Sequence, residues 1–172
     1  MHAVAWWPTF LTVLIAAITD LRSRRIPNWL VGLSLSGALV TAVVTHGGSG
    51  LGKSLAGAAL GGVILGILNL LGGMGMGDVK LCAAVGAWIG PSQLTLALVV
   101  MGVAGGVIAL LWAAWGGFLK QSLGAAGDLV CGFGKHGLRP HPELRLDNPN
   151  ARKIPYAPAI AIGTIFSFLA GQ

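Results

Sequence analysis

Gly-Gly-Met-Gly-Met-Gly-Asp-Val-Lys, residues 72–80, decides how this chain is read. It sets Asp78 among glycines at the mouth of an apolar segment, in a chain of 172 residues with only five acids. A carboxylate drawn into hydrocarbon costs about 2.5–3.5 kcal/mol on insertion scales, so its presence calls for a reason. One other acid occupies a comparable position: Asp20, at the end of the first apolar segment.

The surrounding composition makes hydrocarbon the relevant solvent. The chain is 55% hydrophobic and 9% charged, with mean hydropathy +0.80, whereas soluble domains carry about 25% charged residues. Continuous apolar runs, in place of alternating ones, exclude a β-barrel and predict an all-α, polytopic membrane protein. The net charge of +6 is read as topological and not as a nucleic-acid footprint, because basic residues flank membrane spans. Cys82 and Cys131 form no CxxC unit and no zinc ligand set, so neither a disulfide nor a metal site is expected. Cys82 reads as a small core residue. The first apolar run has no basic region before it, which predicts a retained helix instead of a cleaved signal.

Outward from residues 72–80 the chain divides into six spans, near residues 3–19, 29–45, 51–71, 79–90, 94–117 and 154–170. Trp6 and Trp7 suit a membrane interface. The first connection carries Arg22, Arg24, Arg25 and Pro27, and proline forbids simple helical continuation. The second, residues 46–50, reads as a flexible glycine turn. Gly57 and Gly61, then Gly62 and Gly66, repeat at the spacing of a close helix-packing face, as do Gly102 and Gly106. Asn69 reads as an interhelical hydrogen-bonding residue. The fourth span is only 12 residues, roughly 18 Å against a hydrocarbon core of about 30 Å. Either the glycine stretch extends it as helix, or Asp78 lies on a recessed loop. Residues 118–153 are mostly polar, with a basic, partly apolar first part suited to the membrane surface. The whole chain, residues 1–172, is expected to be one membrane-embedded domain.

Basic residues set the orientation. Ten of the eleven lysines and arginines fall on one side, with Lys53 alone opposite. The positive-inside rule makes the majority side cytoplasmic and puts both termini outside. Asp20 and Asp78 then share the cytoplasmic face. Two carboxylates brought together there cannot both ionise easily, so the pair holds one proton between them. One acid can then activate water while the other polarises a carbonyl, without a metal or cofactor. Gly75 and Gly77 would let a peptide backbone approach. Lys80 and the arginines after Asp20 could tune the acids or attract anionic partners. An ion-coupled or purely structural membrane protein uses paired acids too, and Ser23 and His46 compose no triad because they fall on opposite faces.

Three stretches together resemble the type IV prepilin peptidases, membrane aspartic proteases of the Gly-x-Gly-Asp class. They are Asp-Leu-Arg-Ser-Arg-Arg-Ile-Pro-Asn (residues 20–28), Gly-Met-Gly-Asp-Val-Lys-Leu (75–81) and Ile-Pro-Tyr-Ala-Pro (154–158). The resemblance implies catalysis by Asp20 and Asp78, with Gly75, Gly77, Lys80, Pro27 and Asn28 shaping the site. It implies cleavage of basic leaders from prepilins or pseudopilins at the cytoplasmic face of the bacterial inner membrane. It also implies the lipid bilayer as surroundings, no cofactor and no nucleic acid. Longer members carry an N-terminal portion with paired CxxC motifs linked to N-methylation. This chain lacks those motifs and is similar to short, peptidase-only members serving Flp-type (tight adherence) pili.

Overall fold

A computed structural model describes residues 2–23, 25–70, 74–115 and 156–171. Every regular element among them is a helix: α1 (His2–Ser23), α2 (Asn28–Leu70), α3 (Met76–Trp115) and α4 (Ala157–Ala170). The all-α expectation holds. Residues 118–153, Gly72, Gly73, Arg24, Cys131, Ile154 and Pro155 lie outside the described residues.

The two long helices are each interrupted at one glycine. Gly47 (φ 60°, ψ −141°) interrupts α2 and Gly90 (φ 76°, ψ 173°) interrupts α3. Positive φ is strained for residues with a Cβ, and glycine escapes that cost. Pro91 follows at once, suited to a first helical position where its missing N–H is no loss. The chain doubles back at both points. A Cβ on Gly50 would strike the carbonyl of Ala42, and one on Gly86 would strike Leu94; an unbroken helix would hold residues eight apart at roughly 12 Å. The expected turn over residues 46–50 is present and is made by one non-helical residue, Gly47, with helix on either side.

Packing is closest between the second arm of α2 and the first arm of α3, which run antiparallel. A Cβ on Gly57 would collide with the Gly86 carbonyl, and one on Gly61 would lie 2.8 Å from the Cys82 oxygen. Here the predicted glycine face is present at Gly57 and Gly61, whereas a Cβ on Gly62 or Gly66 would meet only Ala83 at 3.8 Å or Val79 at 4.0 Å, ordinary contacts. Gly102 and Gly106 differ: a Cβ at either meets nothing within 4 Å. The contact on that arm runs through Gly105, beside Ala159 and Tyr156, and through Gly163 of α4 against Ala97 and Met101. Glycine-rich sequence alone does not say which glycine of a neighbouring pair faces inward.

Polar ties cross the bundle where apolar packing alone would leave side chains unpaired. Thr12 donates to Ser34 Oγ (3.1 Å), which also accepts from Trp88 Nε1 (3.0 Å). Ser54 donates to the Ala87 carbonyl (2.7 Å), and Ser167 to that of Gln93 (2.9 Å). Leu65, Leu81, Val85, Leu94 and Val13 are fully buried among these helices, as is the free thiol of Cys82. Trp6 does not face an interface as expected. It is buried and packs edge-on against Phe168 at 4.7 Å between centroids, while Trp7 is exposed. Asn69 also differs: its Nδ2 donates to the nearby Met74 carbonyl (2.7 Å), tying the connection between α2 and α3 and not a separate helix.

Candidate active site

The connections at one end of the bundle carry the predicted site residues. Asp20 is in the last turn of α1, Pro27 and Asn28 open α2, and Asp78 lies in the first turn of α3. The choice left open for residues 72–80 resolves from Met76 onward as helix. Gly75 stands at the helix start, its carbonyl accepting the N–H groups of Asp78 (3.1 Å) and Val79 (3.4 Å). The backbone of this first turn lies beside the Asp78 carboxylate and favours its charge, as a helix N-terminus does for an acid in its first turn.

Both acids are buried, Asp20 at 7% exposure and Asp78 at 9%. The Asp20 carboxylate is near enough for its charge to be felt at Asp78. Their partners differ. Asp20 Oδ2 accepts the N–H of Ala157, the first residue of α4, at 3.3 Å. Asp78 Oδ1 is buried and has no hydrogen-bond partner among the described residues. A buried polar atom left unpaired is costly, and in native proteins such atoms concentrate where chemistry uses them.

The neighbouring predicted residues converge on the same end. Exposed Lys80 donates from Nζ to Asn28 Oδ1 at 3.2 Å, joining α3 to the start of α2. The Pro27 carbonyl accepts the Val31 N–H (3.4 Å) and begins α2. A Cβ on Gly75 would lie 3.1 Å from Asp78 Oδ2, whereas one on Gly77 would meet Ile26 at an ordinary 3.4 Å. Gly75 thus leaves room for the acid's own carboxylate, and Gly77 for the connection between α1 and α2.

Two groups here were not singled out from sequence: the Ala157 N–H and Tyr156. Tyr156 immediately precedes α4 and lies within electrostatic reach of Asp78. The Pro-Tyr-Ala-Pro run, residues 155–158, signals a helix start. The side chains that this start would approach depend on a tertiary contact between the two ends of the chain.

Two buried acids in adjoining helix termini, one with an oxygen unclaimed, fit hydrolytic chemistry. A model of the type IV leader peptidase family matches residues 7–110, more than half the chain and inclusive of both acids. The chain belongs to that family. It is a family of proteases, so a protein substrate is implied in general. No curated protein and no solved structure matches the chain. Two helices of this family member, α2 and α3, are long and apolar enough to cross a membrane. With the family assignment they mark a membrane protein.

Proposed function

We propose that this chain is a prepilin leader peptidase working by a two-aspartate mechanism at the cytoplasmic face of the bacterial inner membrane. The observation that carries the reading is the placement of Asp20 and Asp78: both buried, at one end of the bundle, with the Asp20 charge felt at Asp78. In the proposed cycle the ionised acid takes a proton from water, and the resulting hydroxide adds to the scissile carbonyl carbon. The protonated acid donates to the carbonyl oxygen. Collapse of the tetrahedral intermediate breaks the C–N bond, and the departing amine receives a proton from the pair.

Several features support the membrane setting. The Gly47 and Gly90 breaks turn four helices into six arms, consistent with six crossings and both termini outside. Large apolar side chains are exposed along these arms, among them Leu14, Leu33, Val63, Val99, Leu111 and Leu169. Such a surface suits lipid and not water. The first arm of α3 remains short, so Asp78 is drawn toward the hydrocarbon boundary, where a substrate's membrane helix would end. Gly75, Gly77, Pro27, Asn28 and Lys80 form the approach to the acids. The chain, residues 1–172, acts as one membrane-embedded peptidase domain.

The test is hydrolysis of a prepilin by the purified full-length protein in lipid, followed by mass spectrometry of the products. Release of the intact basic leader, insensitive to serine and cysteine protease inhibitors, is expected. Complete inhibition by a metal chelator, reversed by added metal, would overturn the two-aspartate reading.

A further inference from the structure

At the end of the bundle opposite the two aspartates, a cavity of about 480 Å³ opens between the arms of α2 and the Gly90 break of α3. We propose that it binds the phosphate of an anionic phospholipid headgroup through the Lys53 ammonium, with the Thr41 hydroxyl as a second donor.

The lining argues for an anion. Lys53, His46, Thr41 and Ser49 line the cavity, and no carboxylate does. Ammonium and hydroxyl groups offer several donors to a phosphate, and such charge-assisted bonds are the strong ones. Lys53 is exposed and has no ion-pair partner among the described residues. It also departs from the charge pattern of the rest of the molecule. Of the described lysines and arginines, Arg22, Arg25 and Lys80 lie at the aspartate end, and Lys53 alone lies here.

The surroundings argue for a lipid instead of a free anion. In the membrane-spanning reading, on which this inference rests, the Gly47 and Gly90 reversals lie at headgroup depth. Trp88 and Ile89 give the cavity an apolar wall. Val43, Val44 and Leu55 are exposed on the adjoining arms, where acyl chains would run. The volume falls within the range of small-molecule sites, about 300–1,000 Å³.

The test is native mass spectrometry of the full-length protein in detergent, titrated with phosphatidylglycerol, phosphatidylcholine or glycerol 3-phosphate. Phosphatidylglycerol should bind most tightly. Lys53→Ala should weaken it about fivefold, the effect of one surface cation near an anionic headgroup. Lys53→Arg should remain within about twofold of wild type because the charge is kept. Circular dichroism checks that each variant retains its helices, and the Lys53→Arg comparison separates charge from fold. Equal binding by wild type and Lys53→Ala would overturn the site. Glycerol 3-phosphate binding as tightly as phosphatidylglycerol would overturn the lipid assignment, as would indifference between the two lipids. Because Lys53 is remote from Asp20 and Asp78, loss of lipid binding and loss of peptide cleavage are separable failures.

Discussion

Asp20 and Ala157, 137 positions apart in the chain, are joined by a 3.3 Å hydrogen bond from the Ala157 N–H to Asp20 Oδ2. The first N–H groups of a helix have no intrahelical acceptor, and the helix dipole favours negative charge at that point. The start of α4 therefore serves as a fixed donor to one acid of the pair. The same antiparallel contact continues through Trp6 and Phe10 against Phe168, so aromatic packing at one end of α1 supports the polar contact at the other.

Removing the carboxylate should consequently be felt in stability. Asp20→Ala leaves the Ala157 N–H without its buried acceptor, at a cost of about 1–3 kcal/mol. Asp20→Asn keeps an oxygen acceptor and should cost less. Thermal unfolding of the two variants in detergent measures the difference, and equal melting temperatures would show that the bond contributes little.

The glycines make a sharper contrast. Gly57→Ala places a methyl group against the Gly86 carbonyl, where backbone must move, so a loss of about 1–3 kcal/mol is expected from overpacking. Gly102→Ala meets open space and should be neutral or stabilising by about 0.5–1 kcal/mol through helix propensity. The two glycines look alike in sequence, and unfolding measurements should rank them oppositely.

Gly75 and Gly77 should separate in activity. A methyl group on Gly75 lies 3.1 Å from Asp78 Oδ2, whereas on Gly77 it reaches ordinary contact with Ile26. Gly75→Ala should displace the carboxylate and reduce kcat/KM more than Gly77→Ala, with both variants retaining helical content. The comparison is read by leader cleavage beside circular dichroism.

A two-acid mechanism that shares one proton fixes the sign of the pH response. Below the optimum a second proton binds and the water-activating base is lost. Above it the shared proton leaves and the carbonyl loses its donor, so both limbs of kcat/KM must fall. Tyr156, beside the pair but not a member of it, should not set the basic limb. Tyr156→Phe is expected to preserve that limb's position in a pH–rate series.

Much of this arrangement was legible in the residues. Long apolar runs gave the helices, and the block of Arg22 and Arg25 beside Asp20 placed one end of the bundle. The glycine spacing at Gly57 and Gly61 gave the closest packing. What escaped depends on chain reversal and facing. One positive-φ residue turns α2, so the five-residue glycine turn was too broad. Gly105 faces α4 while Gly102 does not, because helix rotation is set by α4, a later part of the chain. Trp6 is buried because Phe168 supplies a partner that local sequence does not show. The Ala157 donor to Asp20 is a backbone group: the 154–158 motif contains the residue, but no side chain there points to the contact.

The most direct measurement is cleavage of one prepilin by wild type, Asp20→Asn and Asp78→Asn, each purified in lipid and matched for helical content. Loss of an essential acid or base should lower kcat/KM by about 10²–10⁴-fold in each single variant. Cleavage at the wild-type rate by either would contradict catalysis by the aspartate pair.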